Sequence, residues 1–240
     1  MKIPLVCASC MQNGYAPLSI GDSKELNDSG VYEARCQRGH QSYVILQQHK
    51  FEVLFDVGAC ALLDGYHREA VSSFSASLER FREFFFRSAL LEYGIETEEI
   101  DTAWKQLAKQ SERQFGAFTA IYLRECGQAP PVLSSKNVEF RNDVIHKGRI
   151  PERSEAIAYG DAVLDTVRPA ILLAKSKFPI GVKKMIEGHL FVAHQSLPPG
   201  SQFATSCMPT ILNLTGSDTP APEISLEEVL KDQEMWSWRS

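Results

Sequence analysis

Nowhere does this chain carry a run of about 18 apolar residues, so its sequence predicts no membrane-crossing helix. Its first residues, MKIPLVCASC, lack the long apolar core of a secretory leader, which sets the expectation of a cytoplasmic protein with no membrane partner. Six cysteines in 240 residues are too few to staple a chain of this size, and without a leader they fit a reducing compartment. An excess of basic charge is missing too. Lys and Arg number 25 against 30 Asp and Glu, a net of −5, which excludes indiscriminate nucleic-acid binding. The acidity is concentrated at one end. From Asp218 onward, Asp218, Glu223, Glu227, Glu228, Asp232 and Glu234 oppose only Lys231 and Arg239, a net of −4 that leaves −1 for the rest. A local basic site can therefore engage a phosphate without a basic protein around it.

What is present begins with ligand pairs. Cys7 and Cys10 are spaced C-x2-C, and Cys36 and His40 are spaced C-x3-H. The stretch between them is polar and contains glycine. Short β-rich segments, Val31–Ala34 and Ser42–Leu46, flank the second pair. Gly39 permits the turn that a metal knuckle needs. Two such pairs on turns held by strands can place four N and S ligands around one metal ion. Residues 1–48 resemble a zinc ribbon, which implies zinc held by Cys7, Cys10, Cys36 and His40, with His49 open as an alternative fourth ligand. Four protein ligands leave no open position, so the zinc is expected to be structural. Fifty residues with little apolar content need such a staple.

The texture changes at Phe51. Phe51, Phe55, Gly58 and Leu62 recur at helical spacing up to Gly65. Val71, Phe74, Leu78, Phe81 and Phe85 then draw one apolar stripe along a long helix, with Glu69, Glu79, Arg80, Arg82, Glu83 and Arg87 on its other faces and Gly94 closing it. A shorter helix opens at Thr97 and buries Ile100, Trp104 and Leu107; another carries Phe115, Phe118 and Tyr122. The stretch SSKNVEFRNDVIHKG reads as a helix stopped near Gly148. A last long helix starts at Pro151, with Pro169 predicting a kink. The expected fold is mainly α: a zinc ribbon over 1–48, an antiparallel helical bundle over 49–178, and a short mixed extension over 179–240.

Within EFRNDVIHKG, advancing about 100 degrees per residue from Phe140 sets Arg141 between Val144 and Ile145, the apolar residues that face the bundle. Asn142 and His146 share a neighbouring face, and Asp143 and Lys147 form a surface i,i+4 pair. A guanidinium on a half-buried face needs an anion. Two are open: a carboxylate such as Glu79 or Glu83, giving a structural ion pair, or a phosphate from outside, gripped through two parallel hydrogen bonds.

The R-N-x3-H sequence of Arg141, Asn142 and His146, placed just before the last long helix of an all-α domain, resembles the R-x4–6-H motif of HEPN-domain proteins over roughly residues 50–178. That resemblance implies a metal-independent endoribonuclease, working as a homodimer whose two motifs line one cleft. It implies an RNA substrate, a role as toxin or antiviral defence effector, and an inhibitor or activator protein as a further partner. Arg141 would stabilise charge on the phosphate and His146 would move a proton, since imidazole titrates near neutrality. Asn142 would orient the imidazole or bind a phosphate oxygen. A non-catalytic RNA- or nucleotide-binding module, or an interaction protein with a structural Arg141, stays open. Gly148 stands where some HEPN toxins have a tyrosine that a partner enzyme modifies.

In the extension, HLFVA (189–193) and PTILNL (209–214) read as strands around a Pro-Pro-Gly turn. The linker SDTPAPE precedes ISLEEVL, where Ser225 and Glu228 form a capping box that Ile224 and Val229 can staple. An acidic helix carrying Trp236 and Trp238 beyond it is expected to dock on the body or a partner.

Overall fold

The phenylalanine stripe is a core seam in the computed structural model, which describes residues 2–5, 7–14, 23–214 and 224–232. The fold is mainly helical, with nine helices and five strands among the described residues. The chain divides into two units: Met1–His49 with Ile186–Pro209 and Asp232–Ser240, and Lys50–Met185 with Thr210–Lys231.

The larger unit is built around α3 (His67–Glu92). Val71, Phe74, Phe81 and Phe85 on this helix are wholly enclosed and Leu78 nearly so. α3 packs on α2 (Lys50–Leu63), α4 (Thr97–Leu107), α5 (Ser111–Cys126), α6 (Ser135–His146) and α7 (Arg153–Lys177). Gly58 lets α2 lie close to α3, because a Cβ there would stand 2.5 Å from the Phe74 ring. Phe85 touches Phe118 and Phe178 edge to face at 4.9 and 5.4 Å between ring centres, a favoured aromatic geometry. Burying each such ring contributes roughly 1.5–3 kcal/mol over leaving it in water. Phe86 leaves this seam and joins Ile100 and Trp104 in a side cluster under α4.

The helix ends follow local chemistry. Gly65 and Gly94 adopt positive φ after α2 and α3, as C-terminal caps do. Glu152 and Glu155 form a reciprocal capping box, so α7 starts at Arg153 rather than at Pro151, and it runs as one helix with Pro169 inside. α9 (Leu226–Lys231) carries the expected box, with Glu228 accepting from the Ser225 amide at 2.9 Å and its hydroxyl at 2.8 Å. All of SDTPAPE, together with Trp236 and Trp238, lies outside the described residues.

The smaller unit holds two sheets. β1 (Lys2–Pro4) pairs antiparallel with β2 (Ser23–Glu25). β3 (Val31–Arg35) pairs antiparallel with β4 (Gln41–Leu46), matching the two segments expected there. A third strand, β5 (Phe203–Ser206), lies parallel to β4 with Tyr43 opposite Phe203 and Leu46 opposite Ser206. The sequence of β5, FATS, gave no strand signal.

Residues 179–240 are thus shared between the units instead of forming an extension. HLFVA is helical, part of α8 (Pro179–Gln195), because a five-residue apolar run does not distinguish strand from helix. PTILNL is not a strand either. Its backbone is held by two acids on one face of α2: Glu52 accepts from the Thr210 hydroxyl at 3.1 Å and the Leu214 amide at 3.0 Å, and Asp56 accepts from the Ile211 amide at 3.1 Å. These bonds satisfy amides that a sheet would otherwise pair, while Leu212 and Leu214 are buried.

Burial, reinforced by the neighbouring Glu52 charge, pushes the Asp56 carboxyl up to about 8. The folded chain therefore holds a proton that the unfolded chain releases near pH 4. This contribution is complete below that point and is lost as pH rises towards 8. Urea unfolding of the wild type is expected to weaken across this window, by on the order of a few kcal/mol, while Asp56→Asn flattens the dependence.

Candidate functional site

Two sites stand out, one in each unit. In the smaller, α1 (Ala8–Gln12) begins at Cys7 and brings Cys7 and Cys10 to one side of its first turn. The first ligand pair thus sits on a helix start and not on a second tight turn. The other pair sits on the expected turn, where Gly39 has φ +80°, its amide donates to the Cys36 carbonyl, and the Cys36 amide donates to the His40 carbonyl. Cys7, Cys10, Cys36 and His40 converge, with all four ligand atoms within 4.8 Å of one another.

The Cys10 and Cys36 sulfurs are 3.8 Å apart, and His40 Nδ1 lies 3.4 and 3.6 Å from them and 3.9 Å from Cys7 Sγ. A tetrahedral ion with metal–sulfur bonds of about 2.3 Å has edges of roughly 3.8 Å, so these side chains can hold a metal ion as they stand. Arg38 Nη1 lies 3.8 Å from Cys10 Sγ, where its charge would offset the excess negative charge of three thiolates on a bound dication. His49 is not in the cluster. It is buried beside His189, with ring centres 5.4 Å apart, and burial followed by the His189 charge lowers its pKa to about 3. Among the described residues no second metal group forms from His189, His194 and Cys207.

In the larger unit the site grows from α6. The Ser134 hydroxyl caps its start by accepting from the Asn137 amide at 3.2 Å, and Gly148 with φ +73° follows its end. Val144 alone is fully buried on this helix. Arg141 points to α3 as the helical wheel requires, and its Nη2 donates to Glu79 Oε1 at 2.9 Å. The two side chains are 22% and 28% exposed, so the ion pair is largely withdrawn from water. Arg141 Nη1 donates to Asn142 Oδ1 at 3.0 Å, which ties Asn142 to the arginine and not to the histidine. His146 sits exposed in the last turn of α6, and its side chain makes no hydrogen bond among the described residues. Asp143 and Lys147 form the surface pair, 2.8 Å apart. The structure therefore brings Arg141 and Asn142 together and leaves His146 apart.

Arg141 and Glu79 line a cavity of about 250 Å3 together with Arg82, Tyr159, Ser75 and the apolar side chains of Leu78, Phe115, Val132, Leu133 and Val138. The Tyr159 hydroxyl is bonded to Ser75 Oγ at 2.9 Å, and burial raises its pKa. Arg82 lies 4.9 Å from the centre of the Phe115 ring. Its Nε is sealed from solvent without a hydrogen-bond partner, and burial weakens the hold on its proton, partly countered by Glu79. Glu112 is also on the lining, exposed at the rim beside Ser111. Two guanidiniums thus line one cavity with Glu79, which is ion-paired to Arg141 and also acts on Arg82 through its charge.

Arg82, Tyr159 and Ser75 were not expected here. For Arg82 the signal was available: it falls about 40 degrees from Leu78 on the wheel, at the edge of the buried stripe, as Arg141 does on α6. Comparison with family models, curated proteins and solved structures gives no match to this chain.

Two measurements follow from these geometries. Elemental analysis of the purified protein is expected to give one metal ion per chain, falling below one half in Cys36→Ser. Thermal melts should show Glu79→Ala costing more stability than Arg141→Ala, the latter roughly 1–3 kcal/mol. Removing Glu79 leaves two cations side by side, whereas removing Arg141 leaves Glu79 with Arg82. The reverse order would refute the charge count.

Proposed function

We propose that this chain is a metal-independent endoribonuclease of the HEPN type, carrying a zinc ribbon in which the metal has only a structural role. The observation that carries the reading is Arg141, held partly exposed at a cavity that Arg82 also lines. Two guanidiniums at one cavity give a phosphate a local partner in a chain whose net charge is negative, although Glu79 and Glu112 share the lining. Three cysteines and a histidine suit zinc, and four protein ligands leave it no position for substrate.

RNA brings its own nucleophile, the 2′-hydroxyl next to the scissile phosphate. In this reading His146 moves the proton and Arg141 steadies the charge that develops on the phosphate. The two face different sides of α6, so one chain does not aim both at one phosphate. A twofold pair of chains would, each supplying one of the two groups. The exposed apolar side chains of Val132, Val138 and Ile150, before, on and after a helix with one fully buried residue, support α6 as the paired surface.

A second reading has its own support. Arg141 is already neutralised by Glu79, and His146 has no polar group orienting it, which fits a module that grips RNA without cutting it. Single-stranded RNA incubated with the protein in a chelator separates the two. Cleavage is expected, with 2′,3′-cyclic phosphate and 5′-hydroxyl ends, and DNA is expected to survive. His146→Ala and Arg141→Ala should each lower the rate by about 100-fold or more. Equal cutting by His146→Ala and wild type would end the nuclease reading, and tight binding without cutting would establish the second.

A further inference from the structure

The cavity beneath Arg141 has a chemistry that phosphate does not explain. A phosphate group inside it would meet the Glu79 carboxylate as well as the two guanidiniums. Its wall is mostly apolar, formed by Leu78, Val132, Leu133 and the Phe115 ring, with Arg82, Glu79 and Tyr159 among its polar groups. An apolar cavity with a few polar groups is the pattern of a site for an organic ligand. Its volume of about 250 Å3 is near the lower bound for such sites.

The polar groups of the lining offer both kinds of partner. Arg82 Nε–H is a buried donor with nothing to receive it, a costly state that a ligand acceptor would relieve. Glu79 uses Oε1 for Arg141, and its other oxygen is free to accept. A donor beside an acceptor in an apolar slot matches the edge of an unstacked nucleobase, the element that proteins read in single-stranded RNA.

We infer that this cavity is a base-binding subsite that takes one guanine, its O6 accepting from Arg82 and its N1–H and N2–H donating to Glu79, while Arg141 at the mouth meets the adjoining phosphate. The inference rests on the RNA reading of the same site and adds the base it selects. Guanine is singled out because, of the four RNA bases, only its pairing edge sets two adjacent N–H donors beside a carbonyl acceptor. A carboxylate takes the donors and a guanidinium takes the carbonyl.

Calorimetric titration of the full chain with GMP, AMP, CMP, UMP and inorganic phosphate tests it. GMP is expected to bind at least tenfold more tightly than the other three nucleotides, and inorganic phosphate is expected not to compete at equal concentration. Arg82→Gln should weaken GMP binding at least tenfold. Glu112→Trp, a change at an exposed position on the lining, should do the same with an unchanged melting temperature, which covers the case in which Arg82→Gln fails to fold. Equal affinity for the four nucleotides, or full competition by phosphate, overturns the inference. GMP binding without any RNA cleavage would uphold the subsite and remove the nuclease. Cleavage by a chain that ignores GMP would do the opposite.

Discussion

A guanidinium withdrawn from water must have an anion, and that constraint organises the seam between α3 and α6. Both helices carry an arginine at the edge of an apolar stripe, Arg82 beside Leu78 and Phe81, and Arg141 between Val144 and Ile145. Packing the stripes together draws both cations towards one cavity, lined also by Glu79 and Glu112. An isolated pair there would be closed chemistry. The second arginine adds a buried Nε that no acceptor meets, and the proposed subsite is built on that unmet donor.

The same logic of unmet partners runs through the rest of the chain. Glu52 and Asp56 sit buried on α2 because the 210–214 segment supplies donors that have no sheet to join. Three thiols and an imidazole are gathered where apolar content is low, and a metal ion bound there would supply cohesion that side-chain burial does not. In each case a polar group is buried only where its counterpart is delivered by a distant part of the chain.

The nuclease reading and the base subsite divide the labour of α6 and its neighbours. Selection would belong to the cavity, where Arg82 and Glu79 face an enclosed space. Proton transfer would belong to the exposed end of α6, where His146 stands clear of the cavity. Separating the two lets a preference for one base change without touching the group that moves the proton.

Periodicity and spacing alone determined the helices from Phe51 to Lys177, the paired strands β3 and β4, the cluster of three cysteines and a histidine, and the inward turn of Arg141. Each depends on residues close in sequence, whose relative directions are set by 3.6 residues per turn or by a tight loop. The tertiary structure decided what those directions meet. It chose Glu79 over Glu83 for Arg141, sent Asn142 to the arginine and not to His146, turned HLFVA into helix, and placed β5 beside β4. It also showed that Arg82 shares the cavity. These outcomes join residues up to about 160 positions apart, and no local propensity measures the free energy of such a meeting.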